Sequence, residues 1–167
     1  MARDFTDRLI DRWAQIRPDL GVGGLQVTAR LARLGRHVAL REEEVFGRFG
    51  LNRGEVGVLS ALRIAGPPHR LSPTRIGKGL MLSSAGVTTR LDRLEKRGLV
   101  TRLPDPDDRR GVIVELSDRG LELVDEAVGA NTASEQQILA RLDPEELATL
   151  ESLLRKVLAT IEPPEVA

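Results

Sequence analysis

The chain has 167 residues, with 25 basic and 25 acidic side chains, 41% hydrophobic content, two histidines and no cysteine. Length and apolar content predict one domain, or one domain with an oligomerisation appendage, and the absence of cysteine excludes disulfides, thiol nucleophiles and thiolate metal sites. The first residues lack the apolar core of a secretion signal, no run reaches the roughly 18 apolar residues of a membrane span, and His37 and His69 lie in separate segments, so a cytoplasmic chain with no membrane span, cofactor or metal site is expected.

In chain order, Asp4 to Ile16 reads as a short helix that Pro18 stops. After the loop "GVGG", apolar positions from Leu25 through Val38 and Val45 recur at helical spacing among arginines and glutamates, predicting a long helix to about Phe49. Asn52 with Glu55 three residues later is a capping-box pattern, and Val56, Leu59 and Leu62 mark a buried helix that Gly66-Pro67 ends. In "LSPTRIGKGLM", Ser72 before Pro73 starts a short helix. Ser83 starts the next, which keeps Val87, Leu91 and Leu94 on one face and stops at Gly98; together they form a helix-turn-helix. Leu99, Thr101 and Leu103 alternate, as do Val112, Val114 and Leu116, so the two runs predict a hairpin with "PDPDDRRG" as its loop. A helix-turn-helix leading straight into a hairpin is a winged helix. Ser117 then caps a helix to about Arg141, and Asp143-Pro144 begins a last one whose Leu147, Leu150, Leu154, Val157 and Ile161 form a seam of coiled-coil spacing. That seam fits either its own domain or a second copy.

The net charge of zero hides an asymmetry. Residues 72–110 carry nine basic against five acidic side chains, residues 111–167 four against twelve, so the predicted helix-turn-helix and wing are basic. With Val87, Leu91 and Leu94 inward, Ala85, Thr89, Asp92, Arg93 and Lys96 face out, Arg90 lies on the flank, and Ser83 and Ser84 sit at the helix start. Small polar residues there allow close approach to base edges, and an arginine one turn on can fork onto guanine. Ser84, Thr89 and Arg93 are therefore expected on bases, and Ser72, Arg75 and Lys78 on phosphates. At the wing tip Arg110 is suited to a minor groove, with Asp108 orienting its guanidinium.

Other chemistries fit less well. "DPDDRRG" has its glycine at the seventh rather than the sixth position of a calcium loop and Leu116 where a bidentate glutamate belongs. "GVGG" lacks the lysine of a phosphate loop, and no serine occupies a nucleophile elbow, so an enzyme is not expected. A winged helix that binds protein rather than DNA is the alternative, suggested by the acidic C-terminal part.

The stretch "LSPTRIGKGLMLSSAGVTTRLDRLEKRGLVTRLPDPDDRRGVIVELSDRGLELVDEA" resembles the MarR family of winged-helix transcriptional regulators, and the similarity runs over nearly the whole chain. The resemblance implies a mainly α fold with a small β-hairpin, in which residues 1–50 and 117–167 dimerise and residues 51–116 bind double-stranded DNA. It implies a homodimer on a pseudo-palindrome, acting as a repressor, with Leu147, Leu150, Leu154, Val157 and Ile161 as interface and Asp108 and Arg110 as the family's wing pair. "DRWAQIRPDL" is similar to an extra N-terminal helix of a urate-responsive subgroup. That likeness implies a small-molecule effector held by Trp13, Arg90 and Arg102, but Gly57 stands where the subgroup has an aspartate, which removes the acceptor for urate N–H groups.

Overall fold

The computed structural model describes residues 3–106, 108 and 111–162. Its elements follow the chain as α1 (Phe5–Ile16), α2 (Leu25–Gly47), α3 (Arg53–Ile64), β1 (Arg70–Leu71), α4 (Pro73–Gly79), α5 (Ser84–Lys96), β2 (Val100–Pro104), β3 (Val112–Leu116), α6 (Asp118–Leu139) and α7 (Pro144–Leu158). The fold is mainly helical with one small antiparallel sheet, of strand order β1-β3-β2.

The helix starts other than that of α2 are built by local side-chain capping. The side chains of Asp4, Asn52, Ser72, Ser83, Ser117 and Asp143 each accept a backbone N–H of the first turn. Asn52 and Glu55 satisfy each other's backbone N–H reciprocally, at 2.9 and 3.1 Å. The core forms where α3, α4, α5, the sheet and the start of α6 meet, with Val58, Leu59, Leu62, Ile76, Leu91, Leu94, Leu99 and Val114 sealed from solvent. Removing such side chains from water is the main favourable term holding these short elements together.

In two places the sheet departs from expectation. β1 is two residues long, pairing Arg70 with Glu115 and Leu71 with Val114, too short for any alternation in the sequence to reveal. The face of β2 is shifted by one residue. Val100, Arg102 and Pro104 lie opposite Leu116, Val114 and Val112, while Thr101, placed inward by the alternation, is exposed. The cause lies at the end of α5, where the Leu99 N–H donates to Leu94 O at 3.0 Å. Leu99 thus closes the helix rather than opening the strand, so Leu99 and Val100 are both buried and the period of two begins one residue later.

The long helices α2 and α6 are buried only in part. α2 buries Val45 and Phe46 at its end, and α7 buries no residue. At the root of α6, Ser117 Oγ accepts the Gly120 N–H at 3.0 Å and donates to Gly98 O at 2.8 Å. A side chain at 120 would collide with the Leu99 carbonyl oxygen, so only glycine allows α6 to sit this close to the end of α5.

Candidate nucleic-acid interface

The exposed side of α5 and the start of α4 both carry polar side chains. Ser72, whose Oγ accepts the Arg75 N–H at 3.3 Å, sets the first turn of α4, from which Arg75 and Lys78 project into solvent. Ile76 and Gly77 on its other side are buried. Ser83 caps α5 by accepting the Gly86 N–H at 3.2 Å, and Val87, Leu91 and Leu94 anchor the helix inward. Ser84, Ala85, Thr88, Thr89, Arg93 and Lys96 are consequently exposed. Thr89 Oγ1 donates to Ala85 O at 3.0 Å, leaving its oxygen free to accept from an adenine or cytosine amino group. Thr88, not singled out in the sequence, stands beside it and makes the same backbone contact, to Ser84 O.

Arg93 is 64% exposed, its Nε 3.9 Å from the Glu55 carboxylate, which also lies 3.9 Å from Arg97 Nη1. Glu55 itself is buried. Sequence patterning gave Glu55 only a capping role; its facing of two arginines some forty residues away needs the fold to appear. On the opposite flank of α5, Asp92 and Glu95 hold Arg102 of β2 at 2.7 and 2.8 Å. At the wing, the Asp105 N–H donates to Gly111 O and the Gly111 N–H to Asp108 O, turning the chain between the strands. Asp108 is exposed on that turn. Arg110 lies outside the described residues.

Arg90 lines a cleft of about 530 Å³ with Glu42, Asn52, Arg53, Gly54, Gly57 and Leu80, whereas neither Trp13 nor Arg102 borders it. Trp13 is 42% exposed on α1. Arg102 is occupied by its two carboxylates. Arg90 Nη1 donates to Gly86 O at 2.8 Å, but its buried Nε has no hydrogen-bond partner among the described residues. Gly54 makes room for this guanidinium, since a Cβ at 54 would fall on it. Glu42, which lines the same cleft, pairs with Arg53. The seam residues Leu147, Val157 and Ile161 are exposed, and Leu150 and Leu154 half-buried.

A capped two-helix unit presenting polar residues on its second helix, followed directly by a β-hairpin, is a winged helix-turn-helix, a module whose second helix is shaped for a major groove. Residues 49–111 match the MarR family. Over 149 residues, 89% of this chain and 90% of the relative, the sequence is 34% identical to the HTH-type transcriptional regulator PecS of Dickeya dadantii. It is also 34% identical over 118 residues to the multiple antibiotic resistance protein MarR of Escherichia coli, covering 69% of this chain and 78% of that one. The chain belongs to the MarR family. Among solved structures, it is similar to a mutant MarR from E. coli complexed with operator DNA, with TM-score 0.70, 28% identity, and 87% and 97% of the two chains covered. It is likewise similar to Sco3205, a MarR family transcriptional regulator from Streptomyces coelicolor in complex with DNA, with TM-score 0.77, 25% identity, and 88% and 92% covered.

Proposed function

We propose that this protein is a sequence-specific DNA-binding transcriptional regulator, a repressor that sits as a homodimer on a pseudo-palindromic operator in the cytoplasm. The observation that carries the reading is the exposed polar face of α5, preceded by the capped helix α4, in a chain whose family includes proteins solved with DNA. In this reading residues 51–116 are the reading head, and residues 1–50 and 117–167 join the two copies. Ser83 and Ser84 bring the start of α5 to the groove floor, and Ser84, Thr89 and Arg93 read bases. Ser72, Arg75 and Lys78 hold phosphates, and Asp108 with Arg110 serves the minor groove.

The test is binding to a duplex selected by the protein from a random-sequence pool, beside a shuffled duplex, across a salt series. Arg93→Ala is expected to cost about 1–3 kcal/mol and relax the preference at one base pair, whereas Lys78→Ala weakens all sequences alike and lowers the salt slope by about one. Failure to select any sequence, together with a stable complex with another protein, would turn the assignment to an interaction module.

The finer part of the reading is a small flat anionic effector that releases the DNA. The cleft at Arg90 supports it, because a buried guanidinium Nε without a hydrogen-bond partner among the described residues is a standing donor for an anion, and Arg90 belongs to the reading helix. Trp13 and Arg102 belong to this reading through the family subgroup. Urate is not the favoured occupant, since Gly57 offers no carboxylate to its N–H groups.

A further inference from the structure

The contact between Arg102 and α5 is more elaborate than a surface ion pair. Asp92 and Glu95 stand three residues apart on the wing-facing flank of the helix. Arg102 Nη2 meets Asp92 Oδ1 at 2.7 Å and Nη1 meets Glu95 Oε2 at 2.8 Å. The second oxygen of Glu95 accepts the backbone N–H of the same arginine at 3.1 Å. The Arg102 side chain is 28% exposed. It lies opposite Val114, in the middle of the β2–β3 ladder. A planar guanidinium held by two carboxylates of one helix, with its own main chain tied to one of them, fixes both the separation and the rotation of the two elements.

We propose that Asp92, Glu95 and Arg102 form a positioning clasp that sets the angle of the wing to the recognition helix, so that one rigid unit presents itself to two adjacent grooves. The inference rests on the DNA-binding reading above. A second effect follows from the same geometry. Asp92 and Glu95 are 48% and 38% exposed beside the DNA-facing surface, and Arg102 neutralises carboxylates that would otherwise repel phosphates.

The two effects separate experimentally. On the selected duplex, hydroxyl-radical cleavage reads protection along the minor groove, and methylation of guanine N7 reads the major groove, each at protein concentrations that saturate the site. Wild type is expected to show both protections. Arg102→Gln should bind roughly tenfold more weakly, the scale of one lost charge-assisted contact, and keep the major-groove protection while losing the flanking minor-groove protection. Arg102→Lys, which restores the charge without the fork, should recover affinity but not the flanking protection. The double variant Asp92→Asn with Glu95→Gln should lose that protection too, although removal of two negative charges by itself favours DNA. Thermal unfolding of each variant identifies any that misfold, and the double variant carries the test if Arg102→Gln does. Full flanking protection in the folded variants overturns the clasp while leaving the DNA-binding reading intact. A wild-type chain that protects no sequence overturns both.

Discussion

Glu55 is 5% exposed and performs two tasks with one carboxylate, accepting the Asn52 N–H and facing Arg93 and Arg97. A buried anion persists only where charge and hydrogen bonds compensate its lost hydration. Glu55→Ala removes the reciprocal half of the α3 cap and takes away the carboxylate that Arg97, which also donates to Gly50 O at 2.8 Å, faces. A loss of about 1–2 kcal/mol is expected, read as a lowered urea midpoint at unchanged slope; an unmoved midpoint would show that the cap carries no net stability. The cap was legible in the sequence because it is a contact over three residues with a known spacing. Its link to Arg93 and Arg97, and likewise that of Arg102 to Asp92 and Glu95, was not legible. Such pairs join elements whose mutual orientation no local pattern specifies, and the helical wheel left Asp92 simply facing outward.

α1 shows how an element is held on by charge. Thr6 and Ile10 are its only buried residues, and Arg30 of α2 reaches Asp4 and Asp7 at 2.8 and 2.6 Å, while Arg33 lies over the Phe5 ring at 4.4 Å. Arg30 hydrogen bonding holds Asp4 below its ordinary value of 3.8, and the Asp4 N–H followed by Arg30 does the same for Asp7. Both carboxylates bind protons more weakly in the folded chain than in the unfolded one, through the α1 cap as well as through Arg30, so their contribution is complete above about pH 4 and is lost as the pH falls through their lowered values. α1 should therefore loosen in that acid window before the buried core unfolds. Fluorescence of Trp13, the only tryptophan, would change below pH 4 ahead of the far-ultraviolet helical signal, and coincident transitions would contradict independent docking. Element identity was largely readable in the sequence, since every helix start but that of α2 rests on a local cap and α2 shows itself by its apolar spacing. The parity of β2 was not, because Leu99 obeys the helix end before it and the strand pattern counts from the wrong residue.

For the whole molecule, α7 and the residues just after it carry apolar side chains that a single chain leaves uncovered, the seam positions Leu147, Val157 and Ile161 with Leu153 and Leu158 beside them. Leu147, Leu153, Val157, Leu158 and Ile161 are each 41% exposed or more, and placing them on a second copy is the homodimer of the proposed function. Leu150→Glu with Leu154→Glu should yield monomers in sedimentation and weaken operator binding by about 10²- to 10⁴-fold, the gain that linking two half-site contacts supplies; a variant that stays dimeric would place the interface elsewhere. From the reading head to this seam runs α6, 22 residues and therefore about 33 Å long. Its root at Gly120 abuts the Leu99 carbonyl with no space for so much as a methyl group. In the proposed homodimer the two chains would act as a caliper with stiff pivots. A tilt of about ten degrees at the root would carry the far end roughly 6 Å, more than one base-pair step. Adding a single base pair at the operator centre moves the half-sites apart by about 3.4 Å and turns them by about 35°, a combined slide and rotation that rigidly seated arms have little means to follow.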